Sequence, residues 1–74
     1  VRRLRAAVRR AEEQIAALET AAADLRARMA DPAVAADYAQ IAALGEELAD
    51  NERRTEDTME QWAQDQLTLE ELGE

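Results

Sequence analysis

Cysteine, histidine, phenylalanine and lysine are absent from this 74-residue chain, and proline, tyrosine and tryptophan occur once each. Without cysteine there is no disulfide framework and no thiolate chemistry, which fits an intracellular protein. Without His or Cys the usual zinc sites are excluded, and no calcium-loop spacing takes their place. The two glycines, Gly45 and Gly73, stand far apart. That rules out a Gly-rich phosphate loop and a G-x-S-x-G elbow. No run approaches the roughly 18 to 20 apolar residues of a membrane span, and no signal-peptide pattern is present. The expectation is a soluble, cytoplasmic chain with no membrane contact, no small-molecule substrate, no metal and no cofactor of its own.

What is present is a heptad. Val1, Leu4, Val8, Ala11, Ile15, Leu18, Ala22, Leu25 and Met29 follow one another in strict steps of three and four, with no polar residue among them. Four such heptads define a narrow apolar seam, and a seam that narrow requires a partner helix. With Ala, Glu, Asp, Arg and Leu dominating the composition, the fold class is all-α and no sheet is expected.

Asp31-Pro32 interrupts the heptad, because proline disfavours helix in the residue before it and suits the first turn of a new helix. The first helix is therefore predicted over about residues 1–30. A corner follows over 31–37, including one turn capped by Asp31. Asp37 with Gln40 three residues later forms a capping-box pattern that opens a second helix over about 38–72, ended by Gly73. So short a corner makes the helices antiparallel neighbours. The chain reads as a single domain, an antiparallel two-helix coiled-coil hairpin over residues 1–74. It is expected to be monomeric, although an opened corner would allow a swapped dimer.

Folding the chain at residues 33–34 aligns Met29 with Tyr38, Leu25 with Ile41, Ala22 with Gly45, Leu18 with Leu48 and Val8 with Met59. The second seam is then Tyr38, Ile41, Leu48, Met59, Trp62 and Leu69, with Leu44 and Leu72 beside it. Ala22 and Gly45 would allow close backbone approach, and Leu69 and Leu72 would overhang the start of the first helix. Gly45, Glu52, Thr55 and Gln66 interrupt this seam, so the middle of the hairpin is expected to be its weakest part, either because a two-helix coil is wet enough to tolerate polar seam residues or because they form a hinge or a partner-binding face. Trp62 is expected as a core anchor opposite the Leu4 to Val8 region and Tyr38 as a residue packed at the tip with its hydroxyl in water, base stacking being the alternative for both.

Charge is unevenly placed. Residues 1–10 carry five arginines and no acid, whereas residues 37–74 carry two arginines against twelve acids, in a chain of net charge −8. Five arginines at a helix N-terminus oppose its macrodipole. Together with a Val in first place, this predicts a segment whose first helix continues upstream in a larger protein. Arg5, at a heptad e position, can reach the second helix near Glu60 and Asp65. Arg2, Arg3, Arg9 and Arg10 fall at b and c and form an outward basic stripe of the kind that contacts phosphate, or an ordinary solvated face. Arg26 and Arg28, close to the tip, share that ambiguity. Adjacent acids such as Glu12-Glu13, Glu46-Glu47 and Glu56-Asp57 diverge by about 100° on a helix, so they converge on no metal or reacting group.

The order of these features resembles a known family. A heptad helix, Arg28-Met29-Ala30-Asp31-Pro32, Asp37-Tyr38, Leu44-Gly45-Glu46-Glu47-Leu48, Glu60-Gln61-Trp62 and Leu69-Glu70-Glu71-Leu72 look like the C-terminal coiled-coil domain of F-type ATP-binding-cassette proteins. The resemblance covers about residues 4–72. It implies a hairpin appended to two ATPase domains, which would supply ATP and Mg²⁺ sites that this segment lacks. It also implies an arm that contacts ribosomal RNA or tRNA, and in some members DNA, with Arg2, Arg3, Arg9, Arg10, Arg26 and Arg28 as the candidate contacts. The chain departs from the family's pattern in its acidity and its lack of Lys. The alternative is a structural or protein-interaction coiled coil with no nucleic-acid role. Ala30-Asp31-Pro32-Ala33-Val34 and the helix after it bear a lesser similarity to the N-terminal helical region of bacterial peptide chain release factors.

Overall fold

A computed structural model describes residues 1–73. Three helices follow in order, α1 over Arg2–Ala30, α2 over Pro32–Ala35 and α3 over Tyr38–Glu71, and α1 and α3 run against each other along a rod of 54 × 14 × 13 Å. Runs of Ala, Leu, Arg and Glu, the strongest helix formers, supply most of α1. It stops at Asp31, whose extended backbone (φ −64°, ψ 124°) is the conformation that a following proline imposes.

The corner is a helical turn with a cap at each side. Asp31 Oδ1 accepts the Ala33 N–H at 2.9 Å, and Pro32 occupies the first turn of α2, where a missing N–H costs nothing. Asp37 then caps α3, its Oδ1 accepting the Gln40 N–H at 3.2 Å while Oδ2 accepts the Gln40 side-chain amide at 2.9 Å. The Gln40 side-chain bond first, and the backbone bond second, hold the Asp37 carboxyl below the ordinary aspartate range. At the far end Gly73 takes φ +80°, and its N–H closes on the Glu70 carbonyl at 3.0 Å, so the expected glycine stop is present.

From Leu4 onward the α1 seam matches the heptad, whereas Val1, expected to begin it, is 52% exposed. Val8, Leu18, Ala22 and Leu25 are its buried residues, and Leu4, Ala11, Ile15 and Met29 are half-buried. Burying each aliphatic side chain contributes about 1.5 to 3 kcal/mol, so this line supplies much of the cohesion.

The α3 seam differs from the expected one in its middle. Ile41, Leu48, Thr55, Trp62 and Leu69 face α1 as predicted, but between them Leu44, Asn51 and Thr58 turn inward while Glu52 and Met59 are exposed; Gly45 is half-buried, as are Asp65 and Gln66 alike. Leu44, expected beside the seam, is 5% exposed, whereas Glu52 is exposed and Met59 is 41% exposed. The rotation has a simple cause: turning Leu44 inward removes a large apolar side chain from water, and turning Gly45 inward removes none.

The pairing of the helices also shifts. The Asn51 side-chain amide donates to the Leu18 carbonyl at 2.9 Å, so Leu18 faces Asn51 instead of Leu48. These two residues are equidistant from a point between residues 34 and 35, one residue beyond the expected fold point, because the corner retains the whole turn of α2. Nothing stands within 4 Å of a Cβ built on Gly45, so the close approach to Ala22 does not occur. Tyr38 is 86% exposed and does not pack at the tip. Leu69 is buried rather than overhanging, while Leu72 is exposed.

The polar seam residues satisfy themselves. Thr55 and Thr58 donate their hydroxyls to the Asn51 and Arg54 carbonyls of their own helix at 2.8 and 2.7 Å. Their donors are thereby spent within α3. Among the described residues no buried side-chain polar atom lacks a partner.

Candidate nucleic-acid interface

All six candidate arginines lie on α1 and all are exposed. Arg2 and Arg9 are seven residues apart, two turns along one line of the helix, and Arg3 and Arg10 form a parallel line about 100° further round. The four therefore make a compact patch on the outward and flanking faces of α1. They stand at the open end of the rod, away from the Asp31–Asp37 corner. Among the described residues, none of the four has an acid within ion-pair distance.

Arg26 and Arg28 are not part of that patch. Arg26 turns to the flank and reaches Glu52 across the seam at 3.8 Å, and Arg28 pairs with Asp24 on its own helix at 3.9 Å. Both pairs are exposed and each contributes little to stability, on the order of 0 to 1 kcal/mol. Their effect on recognition is larger, because each arginine near the tip already has a carboxylate beside it. Arg53, on α3, is likewise held by Asp50 at 3.3 Å.

The fold also sorts charge along the rod. At the open end the five arginines of residues 1–10 lie at the same level as Glu60, Asp65, Glu70 and Glu71, so that end is close to neutral. Residues 11–59, the middle and the tip, hold twelve acids against four arginines, which is the entire net charge of −8. The negative potential that repels a phosphate backbone is thus strongest along the middle of the rod and weakest at its ends.

Comparison with known proteins decides the family. A protein-family model described as "ABC transporter C-terminal domain" matches residues 2–72. The chain belongs to that family. This ABC transporter C-terminal domain is a helical appendage and not itself a catalytic ATPase domain. No curated protein and no solved structure gives a significant match. Within the domain, no helix among the described residues is long and apolar enough to cross a membrane, and no group of three or more His, Cys, Asp or Glu among them is placed to hold a metal ion.

Two features of the domain escaped the sequence reading. One is Asn51, a buried amide tied to the opposite helix. Its signal was available, since Ile41, Leu44, Leu48, Asn51, Thr55, Thr58, Trp62, Asp65 and Leu69 also run in strict steps of three and four. The other is the surroundings of Trp62. Its indole N–H donates to Glu12 Oε2 at 3.2 Å, and its ring lines a depression with Ile15 and Ala16. The indole thus reaches one turn further along α1 than the expected Leu4 to Val8 region.

Proposed function

We propose that this domain is a non-catalytic arm of an F-type ATP-binding-cassette ATPase that contacts nucleic acid, ribosomal RNA or tRNA foremost and DNA in some settings. The supporting observation is the patch of Arg2, Arg3, Arg9 and Arg10 at the near-neutral open end, exposed and in no ion pair among the described residues. Arginine forks in such a patch bind phosphate through charge-assisted hydrogen bonds. Arg26 and Arg28, held by Glu52 and Asp24, would contribute only if those pairs opened. On this reading the arm is a monomeric hairpin in the cytoplasm, and ATP and Mg²⁺ belong to the ATPase domains of the parent.

The test is filter binding of ribosomal RNA, tRNA and duplex DNA at low salt, with the wild-type chain and with Arg2, Arg3, Arg9 and Arg10 changed to Ala. Loss of binding is expected, together with a fall of about 3 in the slope of log affinity against log salt. Binding that is absent, or salt-insensitive and unchanged in the variant, would overturn the nucleic-acid role. A full-length gene lacking two Walker motifs would overturn the F-type assignment.

A second reading is a protein-interaction coiled coil without nucleic-acid contact. The concentration of the −8 charge on residues 11–59 favours it.

A further inference from the structure

The two flanks of the hairpin are unlike each other. On one, Ala7, Arg10, Ala11 and Gln14 of α1 face Asp57, Thr58, Gln61 and Asp65 of α3, a surface with no large apolar side chain. On the other, Ile15 and Ala16 face Met59, Trp62 and Ala63 around a cavity of about 530 Å³, with Glu12 and Glu19 along its α1 edge. Small side chains at Ala16 and Ala63 leave a trough, and the larger Ile15, Met59 and Trp62 form its apolar walls. Met59 is 41% exposed, and Ile15 and Trp62 are only half-buried. Solvent therefore reaches three large apolar side chains in one place, two of them on the outer edge of the seam.

The trough does not end there. At Glu19 and Met59 it adjoins a second cavity of about 510 Å³ that continues toward the tip between Ala22 and Arg26 of α1 and Asn51, Glu52, Thr55 and Glu56 of α3. From Glu52 to Trp62 the groove follows α3 for about 15 Å, which accommodates between two and three turns of another helix. Its border holds Glu12, Glu19, Glu52 and Glu56 against the single cation Arg26, and Arg26 is already paired with Glu52.

We propose that this groove is a docking site for a cationic amphipathic helix of a protein partner, apolar anchors seated between Ile15, Met59 and Trp62 and Lys or Arg side chains meeting Glu12, Glu19 and Glu56. Charge complementarity selects this occupant: acids line an apolar floor, so phosphate is repelled and a neutral helix leaves the carboxylates unpaired. A second copy of the chain fits less well, because Leu4 and Val8, which stand among its arginines, are taken up by its own seam and most of its remaining charge is acidic.

Trp62 is the only tryptophan of the chain, so it reports directly on the groove. The probe is a 15-residue synthetic helix with Leu at one-turn spacing and Lys elsewhere, titrated into the chain while Trp62 emission is followed. Saturable binding with a blue shift is expected. Met59→Lys, at an exposed position, is expected to weaken it about tenfold. Ala63→Gln, which fills the trough at an exposed helical site, provides an independent loss of binding should Met59→Lys disturb folding. Gln61→Ala on the opposite flank is expected to leave binding unchanged. Equal binding of a Lys peptide with Ser in place of Leu would overturn the proposal, since it would reveal counter-ion attraction alone. Concentration-dependent dimers dissolved by Met59→Lys would also overturn it, by making the groove a contact between copies. The arginine patch lies outside this groove, so failure here and failure of the nucleic-acid role are separately visible.

Discussion

The two long helices share one geometry and solve it with opposite chemistry. α1 presents an apolar line from Leu4 to Met29 with no polar residue in it, and α3 interrupts Ile41, Leu44, Leu48, Trp62 and Leu69 with Asn51, Thr55, Thr58 and Asp65. An apolar line alone is indifferent to register, since sliding it by a heptad restores similar contacts. The polar line is not, because Asn51 finds its partner only when the Leu18 carbonyl is opposite. Cohesion and alignment are thus divided between the helices: α1 supplies the first and α3 the second.

Leu44→Ala attacks cohesion where burial is greatest and is expected to have the largest effect. A loss of about 3 kcal/mol, read from thermal unfolding by circular dichroism, follows from the cavity left in a thin seam. Asn51→Leu attacks alignment. Gaining a buried leucine while losing one hydrogen bond is expected to raise stability by about 1 kcal/mol. Sedimentation should then show dimers or mixed states that the wild type lacks, and a single unaltered monomer would remove Asn51 from the role of register pin.

Gly45→Ala sharpens the comparison by testing the rotation of α3. A Cβ at that position meets nothing within 4 Å, so a gain of roughly 0.5 to 1 kcal/mol is expected from helix propensity. A loss would mean that the backbones do approach there, as the alternative seam required. The smallest effect belongs to the cap. The folded-state pKa of Asp37 is lowered by its bonds to Gln40, so its stabilising contribution is present above the unfolded aspartate value and is lost as pH falls through the folded one. Asp37→Asn is expected to melt slightly lower than wild type at neutral pH. The gap should close in acid, and a gap that persists there would show that ionisation plays no part.

Much of this fold was readable from the residues. The α1 seam from Leu4 on, the Asp31-Pro32 stop, both caps and the exposure of Arg2, Arg3 and Arg9 follow from local spacing, which a sequence states openly, whereas Arg10 lies on the flank beside Asp57 and Asp65. The interleaved half of the α3 seam was not, because Ile41, Leu48, Thr55, Trp62 and Leu69 are compatible with either of two lines. Met59 made one line attractive, and the polar Asn51, Thr58 and Asp65 disguised the other. Choosing between them requires comparing Leu44 with Gly45 and knowing that the threonine hydroxyls are satisfied within their own helix. The ion pairs show the same divide. Arg28 with Asp24 has the four-residue spacing that a helix brings together, whereas Arg26 with Glu52 depends on how far the second helix slides past the first.

The uneven charge of the rod has a mechanical consequence. At 54 Å it is several times longer than the roughly 8 Å over which physiological salt screens a charge, so its two ends feel their surroundings separately. At the corner Arg26 and Arg28 balance Asp31 and Asp37, so beside a polyanion the acidic middle is pushed and the two ends are not. The rod therefore meets a polyanion by an end and not along its side.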